Sequence, residues 1–232
     1  MDVTGTDAVI SLDEFLRERF RATATEPPAD ALEPMVRLLA RETFLRKWLP
    51  PQLVRRLDPG FARSNTVHPD SARALFAIAR AAQPTIVVET GTYWGFSTSI
   101  LAAAVRAAKG TAVHTFDLYP KAGAHIAPAV RAWVVLHRGR PSVEAMPPVL
   151  ATLTPDLFFQ DSRHDYDGVR DELRIVAPHM AATGVILLHD WVDANVRRAA
   201  ADHLPGWEFA RIAGDDPQHL GVAWRNVTAP AA

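Results

Sequence analysis

The feature that most constrains this chain is the run TIVVETGTYWGFSTSILAAAVRAAKGTAVHTFDL at positions 85 to 118. A short apolar, β-branched segment ends at Thr90, Gly91 and Gly95 interrupt it, a helical stretch follows, and a second strand-like segment ends at Asp117 and Leu118. Strand, glycine turn, helix and strand, in that order, form a parallel nucleotide-binding half-domain, because two parallel strands need a crossover between them.

The alternation continues. A strand is expected around Val134 to His137, a proline-bounded helix over PSVEAMPPVLATL, and a strand at DLFFQD. YDGVRDELRIVAPHM reads as a helix with Val169, Leu173 and Val176 on one side; GVILLHD is a further strand and VDANVRRAAADHL a helix. WEFARIAG and HLGVAWRNV complete the chain as an antiparallel hairpin. The pattern predicts a doubly wound, Rossmann-like α/β core over residues 68–232 with a mostly parallel sheet. Residues 1–67 are expected to form a helical extension or lid. In it Ser11 and Glu14 make a capping box, and an apolar face from Leu32 through Val36, Leu39, Ala40, Phe44, Leu45, Trp48 and Leu49 runs to Pro50-Pro51. A loop, DPGFARSNTVHP, leads from there to a helix over 70–82. The N-terminal helices are expected to pack over the core or across a homodimer interface.

Composition narrows the function. With 25 basic and 26 acidic residues in 232, the chain has no overall field to draw nucleic acid or an anionic membrane. The absence of cysteine excludes disulfides, thiolate ligands and thiol catalysis. The acidic start has neither a basic nor a continuous apolar region, so a cytoplasmic enzyme is expected.

Two groups of residues carry chemistry. In the first, Gly91 suits a sharp turn and Gly95 a close approach of chain to ligand. Glu89 can accept a hydrogen bond, Thr92, Ser97 and Thr98 add polar groups, and Tyr93, Trp94 and Phe96 are aromatic candidates beside them. The turn has neither the G-x-G-x-x-G spacing nor the Gly-Lys-Ser/Thr ending of a P-loop. Asp117, at a strand end, can receive two hydroxyl donors. In the second group Asp161 ends one strand, His164 follows three residues later, and His189 and Asp190 end another. Parallel strands bring such ends to one side of the sheet, where two carboxylates with histidine or water can bind a divalent cation such as Mg²⁺.

VVETGTYWGFSTS closely resembles motif I of class I S-adenosylmethionine-dependent methyltransferases, in particular small-molecule O-methyltransferases. The resemblance runs through Asp117, DLFFQDSRHDYDGVRDEL and GVILLHDW, over about residues 68 to 226. It implies that Glu89, Thr92, Tyr93, Ser97 and the Gly91 to Gly95 backbone hold the methionine part of the cofactor, and that Asp117 holds its ribose hydroxyls. The His137 to Ser142 segment would pass near the adenine. Asp161 would lie beside the cofactor and, with Asp190 and with His189 near a further ligand position, would bind the metal; Trp191, in that neighbourhood, cannot be a ligand. His164 matches the family histidine that can act as a general base, so His164, Asp161 and His189 are the catalytic candidates. The implied reaction is O-methylation of a small hydroxylated metabolite. The alternatives are a non-methylating enzyme on the same fold and a non-catalytic cofactor-binding protein.

Overall fold

The computed structural model describes residues 7–48 and 67–225. Leu49, the Pro50-Pro51 stop and most of the DPGFARSNTVHP loop lie outside them. The elements are β1 (Val9–Ile10), α1 (Leu12–Phe20), α2 (Ala29–Trp48), α3 (Pro69–Ala82), β2 (Ile86–Thr90), α4 (Phe96–Ala107), β3 (Ala112–Asp117), a 3-10 helix (Pro128–Trp133), β4 (Val134–Arg138), α5 (Ser142–Leu150), β5 (Leu157–Gln160), α6 (Tyr166–Val176), a short 3-10 turn (Ala177–His179), β6 (Val185–Leu188), α7 (Ala194–His203), β7 (Glu208–Ile212) and β8 (Leu220–Trp224).

They build an eight-stranded sheet in the order β1-β7-β8-β6-β5-β2-β3-β4. All pairings are parallel except β8 with β6 and with β7, the expected terminal hairpin. The central strands are apolar on both faces. Val87, Phe159 and Leu187 pack with Leu75, Ile78, Ile100 and Leu101 on one side, while their neighbours Val88, Phe158 and Ile186 pack with Met146, Val169 and Leu173 on the other. Burial of both faces is what turns a strand pattern into a continuous hydrophobic run, and it accounts for the ease with which these strands are read.

β1 is a difference from the sequence expectation, which had helices alone in this region. Two residues are too few to show an alternation, yet they extend the sheet in parallel with β7. Ser11 then caps α1, its side chain accepting from the Glu14 backbone N–H at 3.1 Å. Phe15 and Leu16 of α1 are fully buried in the core, and the Phe15 ring meets Trp224 edge-on at 5.3 Å. Arg106 of α4 takes the Asp30 carboxylate of α2 with two hydrogen bonds, at 2.9 and 3.1 Å. The N-terminal segment is thus joined to the core by strand pairing, burial and an ion pair. Among the described residues, no helix is long and apolar enough to cross a membrane.

The chain places β2, β3 and β4 in succession to one side, then returns to lay β5 against the other side of β2. This reversal is where an open α/β sheet leaves a crevice at the carboxyl ends of its strands. Trp191, three residues past β6, is buried against β8 where Gly221 leaves room: a Cβ on Gly221 would stand 2.2 Å from the Trp191 ring. Gly221→Val is expected to lower stability by about 1–3 kcal/mol through overpacking, read as a lower midpoint with an unchanged slope in urea unfolding.

Candidate active site

A cavity of about 930 Å³ opens at the carboxyl ends of the strands. Its wall takes Gly91 to Ser97 after β2, Phe116 to Leu118 at the end of β3, Pro141 to Val143 at the start of α5, Asp161 to His164 after β5, and His189 and Asp190 after β6. The sequence-predicted residues are therefore brought together, apart from Glu89 and Thr98.

Neither Glu89 nor Thr98, which bonds to it, lines the cavity, and Glu89 shows why. It is fully buried, and its carboxylate accepts from Ser97 Oγ at 2.6 Å and Thr98 Oγ1 at 2.5 Å. Burial pushes its pKa up to about 7, against the hydroxyls of Ser97, Thr115 and Thr98, which favour the charged form. Glu89 therefore ties the end of β2 to the first turn of α4 from behind the cavity wall. Thr92, Tyr93 and Ser97 do reach the cavity wall.

The two glycines of the turn face the chain itself. Gly91 has φ +91°, and a Cβ there would lie 1.9 Å from the Asp161 carbonyl oxygen; Gly95, also at +91°, would strike Ile126 at 2.4 Å. Both spare the chain a collision with itself, so the turn after β2 can sit directly against the turn after β5. Asp117 accepts backbone N–H groups from Tyr93 at 2.7 Å and Tyr119 at 2.6 Å, one on each oxygen. Each oxygen keeps a second lone pair for a ligand hydroxyl.

Across the cavity, Asp161, His164 and Asp190 each bring one ligand atom within 4.8 Å of the others. The sequence expectation put His189 in the metal set and kept His164 apart as the base; the geometry puts His164 in the cluster and His189 behind it. His189 is 7% exposed, with Nδ1 3.1 Å from Asp161 Oδ1 and 2.9 Å from Asp190 Oδ2. Burial opposes a charged ring there, but the two carboxylates outweigh it and push the His189 pKa up to about 10. A ring held as imidazolium has no free lone pair, so His189 would have to release its proton before it could act as a metal ligand or take a substrate proton. Its Nε2 is buried without a hydrogen-bond partner, the nearest acid being Asp216 Oδ2 at 4.0 Å.

His164 Nδ1 lies 3.0 Å from Asp190 Oδ2, at ion-pair distance but off the line of a good hydrogen bond. Its pKa is raised by Asp190 against the opposing effect of burial, while the Asp190 pKa falls well below the carboxylate range because the two histidines outweigh its own burial. Arg163 is held by Asp165 through two hydrogen bonds, at 2.8 and 2.9 Å, and lies across Gly168. Trp191 is buried in the core.

Sequence reasoning passed over Glu172 and Gln218, which also line the cavity. Glu172 had a visible signal: it stands three residues after Val169 on the apolar side of α6, where a carboxylate needs a reason to be.

The His189 pair has a signed pH consequence. A raised histidine pKa contributes stability that is complete below the unfolded value of about 6.5 and is lost as pH rises through the folded value. The stability difference between wild type and His189→Gln, measured by urea unfolding, should therefore shrink as pH rises from neutrality through about 10. A difference that stays constant over that range would contradict the imidazolium assignment.

A family profile described as a methyltransferase domain matches residues 88–191. No curated protein matches the sequence. Among solved structures, the chain is similar to cofactor-bound Rv0187 from MTB, at 20% identity and a TM-score of 0.60, covering 88% of this chain and 98% of that one. It is likewise similar to the O-methyltransferase from Bacillus cereus in complex with SAH, at 14% identity and a TM-score of 0.61, covering 93% and 97%. A third is TomG from Streptomyces achromogenes, an O-methyltransferase involved in tomaymycin synthesis and bound to SAM, at 16% identity and 0.58, covering 93% and 96%. These likenesses are of fold, and the matched profile spans both halves of the cavity, from β2 to Trp191. Residues 88–191 thus match a methyltransferase domain, set in a Rossmann-like fold shared with cofactor-bound methyltransferases.

Proposed function

We propose that the protein is an S-adenosylmethionine-dependent O-methyltransferase acting in the cytoplasm on a small hydroxylated acceptor. One observation carries this reading: the Asp161, His164 and Asp190 cluster opens into the same cavity as the Gly91 to Ser97 turn and Asp117. Donor-binding groups and groups able to handle a hydroxyl proton share one space.

The cavity fits the cofactor in its chemistry. Asp117 offers lone pairs to ribose hydroxyls, Leu118 and the Pro141 to Val143 stretch give a partly apolar wall beside it, and the turn after β2 supplies backbone for the methionine part. S-Adenosylmethionine, when bound, supplies a methyl carbon on a sulfonium, already activated for attack by oxygen. The protein has to hold the acceptor oxygen in line, exclude water and take the proton. Asp190, beside His164 Nδ1, favours the tautomer with its proton on that nitrogen. Nε2 is then the atom that accepts the proton of the acceptor hydroxyl.

Asp161, His164 and Asp190 also fit a divalent cation by donor type, two oxygens and one imidazole nitrogen. The fit has a competitor, because His189 Nδ1 already lies against both carboxylates. Such an ion would orient the acceptor oxygen and lower its pKa. The same reading assigns the N-terminal helices to a homodimer face, and no step of the reaction depends on it.

Asp117→Ala should weaken S-adenosylhomocysteine affinity about tenfold, the loss of one to two hydrogen bonds to hydroxyls, as read by calorimetric titration. An unchanged affinity would remove Asp117 from the cofactor site.

The reaction itself is tested by label transfer from methyl-labelled S-adenosylmethionine to a panel of small sugars, catechols and other hydroxylated acceptors. With an acceptor in hand, His164→Gln should slow single-turnover transfer by about 10²-fold or more, the usual worth of a positioned base, with ligand binding little changed. The wild-type rate should rise with pH through a value above the ordinary histidine pKa, since the base acts when neutral and its pKa is raised. A His164→Gln enzyme with the wild-type rate and pH profile would send the proton elsewhere. Chelation with confirmed metal removal decides the cation: full activity without it would exclude an obligatory metal.

A further inference from the structure

The inference concerns Glu172 and rests on the cofactor reading above. We propose that Glu172 is a positioning residue that holds both walls of the cavity at once, the Ser142 turn beside Asp117 and the Asp161 to His164 turn that carries the acid cluster.

Glu172 lies in the middle of α6 and is 1% exposed. Its Oε2 accepts from Thr90 Oγ1 at 2.9 Å and from Gln160 Nε2 at 3.2 Å. Its Oε1 accepts from Ser162 Oγ at 2.6 Å and from Ser142 Oγ. Among the described residues, no basic side chain stands at ion-pair distance from it. Four neutral donors hold a buried carboxylate, filling its four acceptor sites.

The donors define what that carboxylate controls. Thr90 immediately precedes Gly91, while Gln160 and Ser162 flank Asp161. Gln160 Nε2 also donates to the Arg163 carbonyl at 2.7 Å, which fixes the turn leading to His164. Ser142 opens α5, just after β4, and β4 pairs with β3 so that Asp117 stands opposite Arg138. One side chain therefore joins the carboxyl ends of β2 and β5 to the turn on the Asp117 side. A residue that merely filled α6 would have no need of donors from three different elements around a ligand cavity, and burying a carboxylate is costly unless each acceptor site is met.

The test uses Glu172→Gln, Ser142→Ala and Ser162→Ala, with the exposed Glu144→Gln as control, at a temperature where circular dichroism shows each folded. Calorimetry reads the Kd for S-adenosylhomocysteine, and hydrogen exchange by mass spectrometry reads the amides of residues 161–164. Wild type should bind, Glu172→Gln should bind about tenfold more weakly, a shift of about 1.4 kcal/mol, and Ser142→Ala should reproduce part of that loss. Ser162→Ala should leave the affinity within about twofold, since its contact is with the other wall, while 161–164 exchange faster in both Ser162→Ala and Glu172→Gln. Glu144→Gln should change neither reading. A Glu172→Gln protein with wild-type affinity and wild-type exchange at 161–164, even with a lowered Tm, overturns the proposal. Where Glu172→Gln does not fold, the Ser142→Ala/Ser162→Ala double variant decides, and wild-type values for both readings in it are equally fatal. Wild-type protein that fails to bind S-adenosylhomocysteine instead overturns the cofactor reading itself, while the exchange data still report on the turn.

Discussion

The close approach of Gly91 to the Asp161 carbonyl is the constraint on which the site depends. β2 and β5 are neighbours in the sheet but lie far apart in the chain, and the turns that follow them would ordinarily be kept apart by side chains. A missing Cβ at Gly91, in a backbone conformation that disfavours any other residue, lets the two turns touch. The contact puts the cofactor-side turn and the acid cluster into one cavity at the reversal in strand order. The chemistry of the site follows from that proximity, since a methyl donor and its acceptor must meet within a few ångströms.

Around this contact the carboxylates divide into two kinds. Glu89 and Glu172 are buried and held by hydroxyl and amide donors, so they brace the turns from below. Asp216 belongs with them: it accepts from Ser71 at the start of α3 and from the Gln218 backbone, and so docks that helix on the loop between β7 and β8. Asp117, Asp161 and Asp190 stand at the cavity wall with lone pairs to spare. Residue type does not separate the two kinds. What separates them is whether the neighbouring donors come from the protein or must come from a ligand.

This distinction explains how much could be read beforehand. The alternation of strands and helices was legible because the central strands are buried on both faces, and strand-end acids such as Asp117, Asp161 and Asp190 are placed by topology alone once the sheet is parallel. The direction of Glu89 was not legible, because the motif records its type and not whether Ser97 and Thr98 have claimed its oxygens. β1 escaped because two residues carry no period. Glu172 was hidden in a charged string, although its spacing from Val169 and Val176 placed it on the helix face that packs inward. Gln218 reaches the cavity from a loop in which no sequence pattern operates.

The two histidines of the cluster show why sequence adjacency to an acid does not settle a role. His189 is buried, and its Nδ1 meets two carboxylates at once, so its charge is fixed across the neutral range. His164 is the more exposed of the pair, and Asp190, with Asp161 farther off, raises its pKa against the opposing effect of burial. The sum matters as well as the parts. Asp161 and Asp190 bring two negative charges and His189 returns one positive charge, so with His164 neutral the cluster carries one net negative charge. That sign suits a cationic sulfonium donor nearby and suits the imidazolium that forms when His164 takes a proton. A divalent cation would reverse it, in competition with the positive charge of the His189 ring beside both carboxylates. The side chain that sequence reasoning placed among the metal ligands thus holds a proton that an ion would have to replace.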